Sequence, residues 1–214
     1  MRASGLSKYA SMSRRAAITA AALATMAFVA GCSGATGGAT AEGDMALGAP
    51  EGAKVTVVEY ASVTCGHCVA WQAQVWPEFK AKYVDTNQVR YVFREFPTAP
   101  VEIAAAGFLV ARCAGEDKYF DVMHEIMASQ NEMATGTPPR QVLLRIANGA
   151  GLSEEQFTAC VTDEDAIAAL DQRVKAGLDA GVTGTPTFMV NGEKVADSSM
   201  AGLSTAIDAA LAAS

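Results

Sequence analysis

Cys65-Gly66-His67-Cys68 places two thiols one helical turn apart, a spacing that suits a redox disulfide or a metal. Which of these the pair serves depends on the elements around it. Immediately upstream, Val55-Thr-Val-Val-Glu-Tyr60 is a β-branched run that reads as a buried strand, followed by a short loop over 61–64. Downstream, Cys68, Trp71, Val75, Phe79 and Tyr83 recur near the helical period. The cysteines therefore open a helix, where unpaired N–H groups and the positive end of the helix dipole favour a thiolate. Cys65 is the candidate attacking and leaving thiol. Cys68, one turn in, is the shielded resolving thiol. A protonated His67 would stabilise the Cys65 thiolate further. The rival is a metal site with His67 as a third ligand. Neighbouring side chains splay at a helix start, and the sequence has no second C-x-x-C and no His cluster, so no metal and no cofactor is expected.

Other residues invite chemistry less strongly. Glu59 is a lone charge in an apolar strand: it lies either under the helix, where burial would raise its pKa, or at a sheet edge. His124 with Met123, Met127 and Met133 has copper-like donors, but methionine commonly fills core gaps and packing is the preferred reading. Trp71 and Trp76 read as packing on a helix that Pro77 should kink.

Val89-Arg-Tyr-Val-Phe-Arg94 alternates as a second strand and completes a βαβ unit. After Phe96-Pro97-Thr98-Ala99-Pro100 come about eighty residues of helical pattern. They include an almost wholly apolar helix over 101–115 and an amphipathic one over 118–130. A third helix opens at Pro138-Pro139, a capping signature lies at Ser153-Glu-Glu-Gln156, and a long helix covers 163–180. Strands return at Phe188-Met-Val190 and Glu193–Ala196 around an Asn191-Gly192 turn, and Met200–Ala213 is a last helix. The expected fold is α/β. A βαβ…ββα domain over 54–98 and 181–214 is interrupted by a helical insertion over 99–180.

Half of the 214 residues are hydrophobic and 18% are charged, a globular composition without repeats. The net charge of −7 leaves no electrostatic footprint for nucleic acid. Residues 1–31 hold four basic residues and no acid, and the remainder holds 12 basic against 23 acidic residues, a charge of −11. A basic start, an uncharged stretch over 16–31 and Val29-Ala30-Gly31-Cys32 resemble a bacterial lipobox. The implication is a signal peptide over 1–31, cut before a lipidated Cys32. Ser13-Arg14-Arg15 weakly resembles a twin-arginine signal. The small residues after Cys32 suggest a flexible tether over 32–53. With Cys32 set aside, four cysteines remain and allow three connectivities. The simplest partition pairs Cys65 with Cys68 for catalysis and Cys113 with Cys160 for structure, with Cys113 buried in its apolar helix.

Taken in order, these motifs resemble a DsbA-like thiol:disulfide oxidoreductase of the thioredoxin superfamily. The carrying residues are Val57–Ser62 before the C-x-x-C, Trp76-Pro77, Arg94-Glu95-Phe96-Pro97, Ala111-Arg112-Cys113-Ala114 and Gly181–Phe188. The family's oxidases often have proline where Gly66 stands, and Gly66-His67 is instead the dipeptide of protein disulfide isomerase. The resemblance implies a thioredoxin fold with a helical insert and a Glu59 carboxyl beneath the buried cysteine that relays its proton. It further implies that Thr185-Pro186 is a cis-proline loop facing Cys65, with the Thr185 hydroxyl reaching the sulfur. The implied partners are cysteine-containing proteins of the bacterial envelope and a membrane redox partner, either a quinone-linked oxidase or an electron donor. The chain would be a monomer held to the membrane by its lipid. Oxidase action leads, and a reductase or isomerase with the same site stands as the alternative. From a different class, a metal-binding lipoprotein remains open.

Overall fold

Among the described residues five strands form one sheet in the order β1-β3-β2-β4-β5, namely Met45–Gly48 (β1), Thr56–Ala61 (β2), Arg90–Glu95 (β3), Thr187–Val190 (β4) and Glu193–Val195 (β5). The structure is a computed structural model and describes residues 41–213; the leader over 1–31 and Cys32 lie outside the described residues. β2 and β3 run parallel, with Glu59 opposite Phe93, and the other three pairings are antiparallel. Such a parallel pair needs a crossover, supplied by α1 (Gly66–Gln74), α2 (Trp76–Phe79) and a π-helical turn over Lys80–Val84. The expected kink at Pro77 is a full break. Val75 ends α1, and Pro77 sits in the first turn of α2, where its missing N–H costs nothing.

The helical insert runs as α3 (Val101–Cys113), α4 (Glu116–Ala128), α5 (Gln130–Ala134), α6 (Pro139–Gly149), α7 (Glu154–Val161) and α8 (Glu164–Asp179). Ser153 and Gln156 close a reciprocal capping box at α7, as their spacing predicts. The chain then returns through β4, an Asn191-Gly192 turn with both φ angles positive, and β5 to α9 (Met200–Ala212). This is the βαβ–helical insert–ββα order read from the sequence.

One apolar cluster joins sheet and insert: Val57, Tyr91 and Phe93 share it with Phe108, Tyr119 and Met123. Val58, Tyr60, Val92 and Met189 form a smaller cluster on the other sheet face. There α8 approaches so closely that a Cβ on Gly177 would sit 3.2 Å from both Tyr60 and Phe96. The insert is also fixed by charge. Glu95, buried at the end of β3, accepts from Arg112 of α3, Arg173 of α8 (2.6 Å) and the Tyr119 hydroxyl of α4 (3.1 Å).

Two expectations need correction. The tether over 32–53 does not persist to residue 53, because Met45–Gly48 pairs with β3 as an edge strand. Arg94 holds that strand's start by a bidentate bond to Asp44 at 2.9 and 2.8 Å, a fixed fork that a flexible segment would not keep. Cys113 is exposed, not buried. It is the last residue of α3, whereas Leu109, one turn earlier on the same face, is buried. Its partner is Cys160 of α7, 8% exposed, with the Cα atoms 6.2 Å apart and the sulfurs bonded. Among the described residues no helix is long and apolar enough to cross a membrane.

The 113–160 bond closes a loop with a sequence separation of 47, for which the chain-entropy model gives about 4 kcal/mol. Replacing both cysteines by alanine is expected to lower the unfolding free energy from urea titration by up to that amount while Cys65–Cys68 exchange continues. Unchanged stability would show that the bond constrains nothing in the unfolded chain.

Candidate active site

Cys65 is the N-cap of α1, and its sulfur accepts the Cys68 N–H at 3.1 Å. A cap atom takes the place of a carboxylate or hydroxyl at the positive end of the helix, so negative charge on this sulfur is stabilised as soon as it forms. Cys65 and Cys68 are disulfide-bonded, with Cα atoms 5.2 Å apart. Cys65 is 9% exposed and Cys68 fully buried, so an incoming thiolate meets Cys65 first. His67 and Gly66 are exposed in the first turn, and nothing lies within 4 Å of where a Gly66 Cβ would be.

The loop before Cys65 is clamped from several sides. Ser62, buried, accepts the Thr98 N–H at 3.1 Å, and the Thr64 hydroxyl donates to the Thr98 carbonyl at 2.8 Å. Gln130 of α5 donates to the Val63 carbonyl. These bonds tie the cysteine loop to the β3–α3 connection and to the insert. Residue typing alone misses them, because isolated Ser, Thr and Gln residues carry no spacing signal.

Opposite Cys65, the Thr185–Pro186 peptide is cis, and the Thr185 carbonyl oxygen lies 3.5 Å from the Cys65 sulfur. The expected sulfur contact through the Thr185 hydroxyl gives way to this main-chain contact. Thr187 holds the loop by donating to the Gly184 carbonyl at 2.7 Å. A groove of about 440 Å³ runs past His67, Trp71, Gln74, Thr185, Pro186 and Asp197. Trp71 fixes one wall by donating to the Ser198 carbonyl at 2.8 Å.

Glu59 lies on the sheet face that packs under α1, not at an edge. It shares that face with Val57 and Ala61 and is fully buried. Burial raises its carboxyl to about 8 from an ordinary 4.5, and the hydrogen bond donated by Tyr91 pulls the other way. Sequence alone does not single out Tyr91, because its place beside Glu59 follows from the parallel register, in which Val57 pairs with Tyr91 on the face that holds Glu59. His124 packs against Trp76 with ring centroids 5.4 Å apart, and Met123 and Met127 are core residues. Among the described residues no three His, Cys, Asp or Glu side chains gather as a metal-binding group. The arrangement can accept a thiolate at Cys65 and release Cys68.

A thioredoxin family model matches residues 40–209. A putative protein-disulfide oxidoreductase of Rickettsia conorii is 36% identical over 172 residues, 79% of this chain and 61% of that protein. The chain thus spans less than two thirds of that relative. The crystal structure of Wolbachia pipientis alpha-DsbA1 superposes with a TM-score of 0.73 at 25% identity, covering 81% of this chain and 94% of that one. Oxidised BdbD from Bacillus subtilis shares the fold, with a TM-score of 0.71 at 18% identity over 81% of this chain and 95% of that one.

The buried carboxyl makes stability depend on pH in a definite direction. Between about 4.5 and about 8 the folded chain keeps a proton on Glu59 that the unfolded chain releases, so stability falls as pH rises through that window. Glu59→Gln is expected to remove this decline and to exceed wild type by on the order of 3 kcal/mol near pH 7. Parallel urea midpoints for the two proteins from pH 5 to 8 would contradict the raised carboxyl.

Proposed function

The chain belongs to the thioredoxin family, and on that premise we propose that it is a thiol:disulfide oxidoreductase acting on protein cysteines through Cys65 and Cys68. One observation carries the reading: the less shielded sulfur of the pair caps a helix while facing the Thr185 carbonyl of the cis-proline loop. That loop offers a substrate strand its main chain, as in strand addition at a sheet edge.

In the oxidising direction a substrate thiolate bonds to the Cys65 sulfur and breaks the Cys65–Cys68 bond. Cys68 leaves as a thiolate and takes a proton from Glu59. The substrate's second thiolate then attacks the substrate sulfur of the mixed disulfide, and Cys65 leaves as the thiolate capped by α1. Two electrons pass from the substrate to the pair, and the substrate leaves with a disulfide. A protonated His67 on the first turn favours the departing Cys65 thiolate. A quinone-linked membrane partner would reoxidise the pair. A reductase or isomerase would run the same steps from a dithiol supplied by a membrane electron donor.

The cell envelope is the proposed location. Support comes from the basic, apolar leader and Val29-Ala30-Gly31-Cys32, which imply export and a lipid on Cys32. A monomer acting on envelope proteins fits one complete redox pair per chain. Cys113–Cys160 serves as a structural bond between α3 and α7.

Cys65→Ser is expected to abolish dithiol oxidation of a reduced test protein, whereas Cys68→Ser should accumulate mixed disulfides visible on non-reducing gels. Full turnover in Cys65→Ser would refute the assignment. Cys32→Ser should release the protein from membranes or stall cleavage of the leader. Recovery of mature wild-type protein without lipid would exclude the anchor.

A further inference from the structure

The groove beside Cys65 carries a charge that the exchange steps do not use. It is lined from α1 by His67, Trp71 and Gln74, from the cis-proline loop by Pro186, and from the β5–α9 link by Asp197 and Ser198. Among the described residues, Asp197 is the one Asp, Glu, Lys or Arg in that lining. Its carboxylate is held in place. Oδ1 accepts the Ser199 N–H at 2.9 Å, and Ser199 in turn caps α9 by accepting the Gly202 N–H at 3.2 Å. The first turn of α9 seats directly on Asp197. A Cβ at Gly202 would stand 2.3 Å from the Asp197 carbonyl oxygen and 2.6 Å from the Asp197 Cβ. The Trp71 indole ties the neighbouring Ser198 carbonyl to α1 at 2.8 Å. Asp197 is nevertheless exposed, and among the described residues it forms no ion pair.

We propose that Asp197 makes this groove select substrate segments that carry Lys or Arg beside the reacting cysteine. The inference rests on the thiol:disulfide reading above and names the class of polypeptide on which that site acts best. A substrate strand laid along the Thr185–Pro186 loop takes its affinity from main-chain bonds, so discrimination falls to the side chains flanking its cysteine. On the α9 side such a side chain meets a carboxylate already oriented by Ser199. A basic one gains an ion pair without the cost of ordering its partner. An acidic one meets repulsion, which no Lys or Arg of the groove relieves. The exchange chemistry is unchanged: the two substrate thiols become a disulfide while the Cys65–Cys68 disulfide becomes two thiols.

Two further observations agree in sign. The Ser199 N–H holds the Asp197 carboxyl below its ordinary range, so the groove keeps its charge at neutral pH. The chain from residue 32 onward carries 12 basic against 23 acidic residues, and this excess draws basic polypeptides before any contact forms. That long-range pull belongs to the whole surface, whereas Asp197 acts beside the reacting sulfur, and removing one charge at a time separates the two.

The test is single-turnover oxidation of three dithiol peptides by the oxidised full chain, at low and at high salt, followed by tryptophan fluorescence. The peptides differ only in having Lys, Gln or Glu on either side of the attacking cysteine. Each protein's Lys and Glu rates are divided by its own Gln rate, so changes in folding or in the Cys65 leaving group cancel. Asp197→Asn keeps an acceptor for the Ser199 N–H and removes the charge. It is expected to lower the Lys/Gln ratio and raise the Glu/Gln ratio, each about threefold at low salt, the size of one exposed ion pair, and much less at high salt. Asp197→Lys should reverse the order and favour the Glu peptide. Glu155→Gln, an exposed acid of α7 outside the groove, removes the same net charge and should leave both ratios as in wild type. Wild-type ratios in Asp197→Asn, or a wild-type order in Asp197→Lys, would overturn the proposal. An equal shift in Glu155→Gln would overturn it too, by assigning the preference to net charge. Failure of the wild-type protein to oxidise even the Gln peptide would instead sink the oxidoreductase reading, so the two failures are distinct.

Discussion

One buried carboxylate, Glu95, fixes the helical insert to the sheet that carries the cysteine pair. It terminates β3, and arginines from α3 and α8 together with a tyrosine from α4 converge on it. Removing one partner from such a buried group typically costs about 3–5 kcal/mol, because the remaining charge loses its compensation. The helical insert is therefore not free to ride on the sheet. Its α5 reaches the cysteine loop through Gln130, so the ion cluster at one end of β3 sets where that clamp falls.

The site itself is assembled from main-chain features more than from charged side chains. A helix start, a cis peptide and three hydroxyl-bearing residues place one sulfur where it is both stabilised and reachable. The Glu59 carboxyl on the sheet below is pushed up by burial and tempered by a phenol. Exchange chemistry asks for this division, with a stabilised leaving thiolate outside and a proton store inside.

The sequence made the parts with strong local signals readable. The β-branched strand, the C-x-x-C at a helix start, the capping box at Ser153 and the Asn191-Gly192 turn each depend on neighbours in the chain, and each stands where its signal placed it. What escaped depends on distant partners. Met45-Ala-Leu-Gly48 has little strand propensity of its own and becomes a strand because β3 offers an open edge and Arg94 grips Asp44. Cys113 lies in an apolar run, but it is the last residue of α3, and its partner comes from α7. Tyr91 gained its place beside Glu59 only once the parallel register was known. The thioredoxin-fold order with a helical insert was legible throughout, since it follows from the succession of periodicities.

Gly66 and His67, between the cysteines, carry a last consequence. Both are exposed, and a Gly66 side chain would meet no neighbour. Replacing them disturbs no packing, while their place on the capped first turn keeps them beside the sulfur whose charge matters. Substitution there would change the charge around the Cys65 sulfur and leave the packed core as it is.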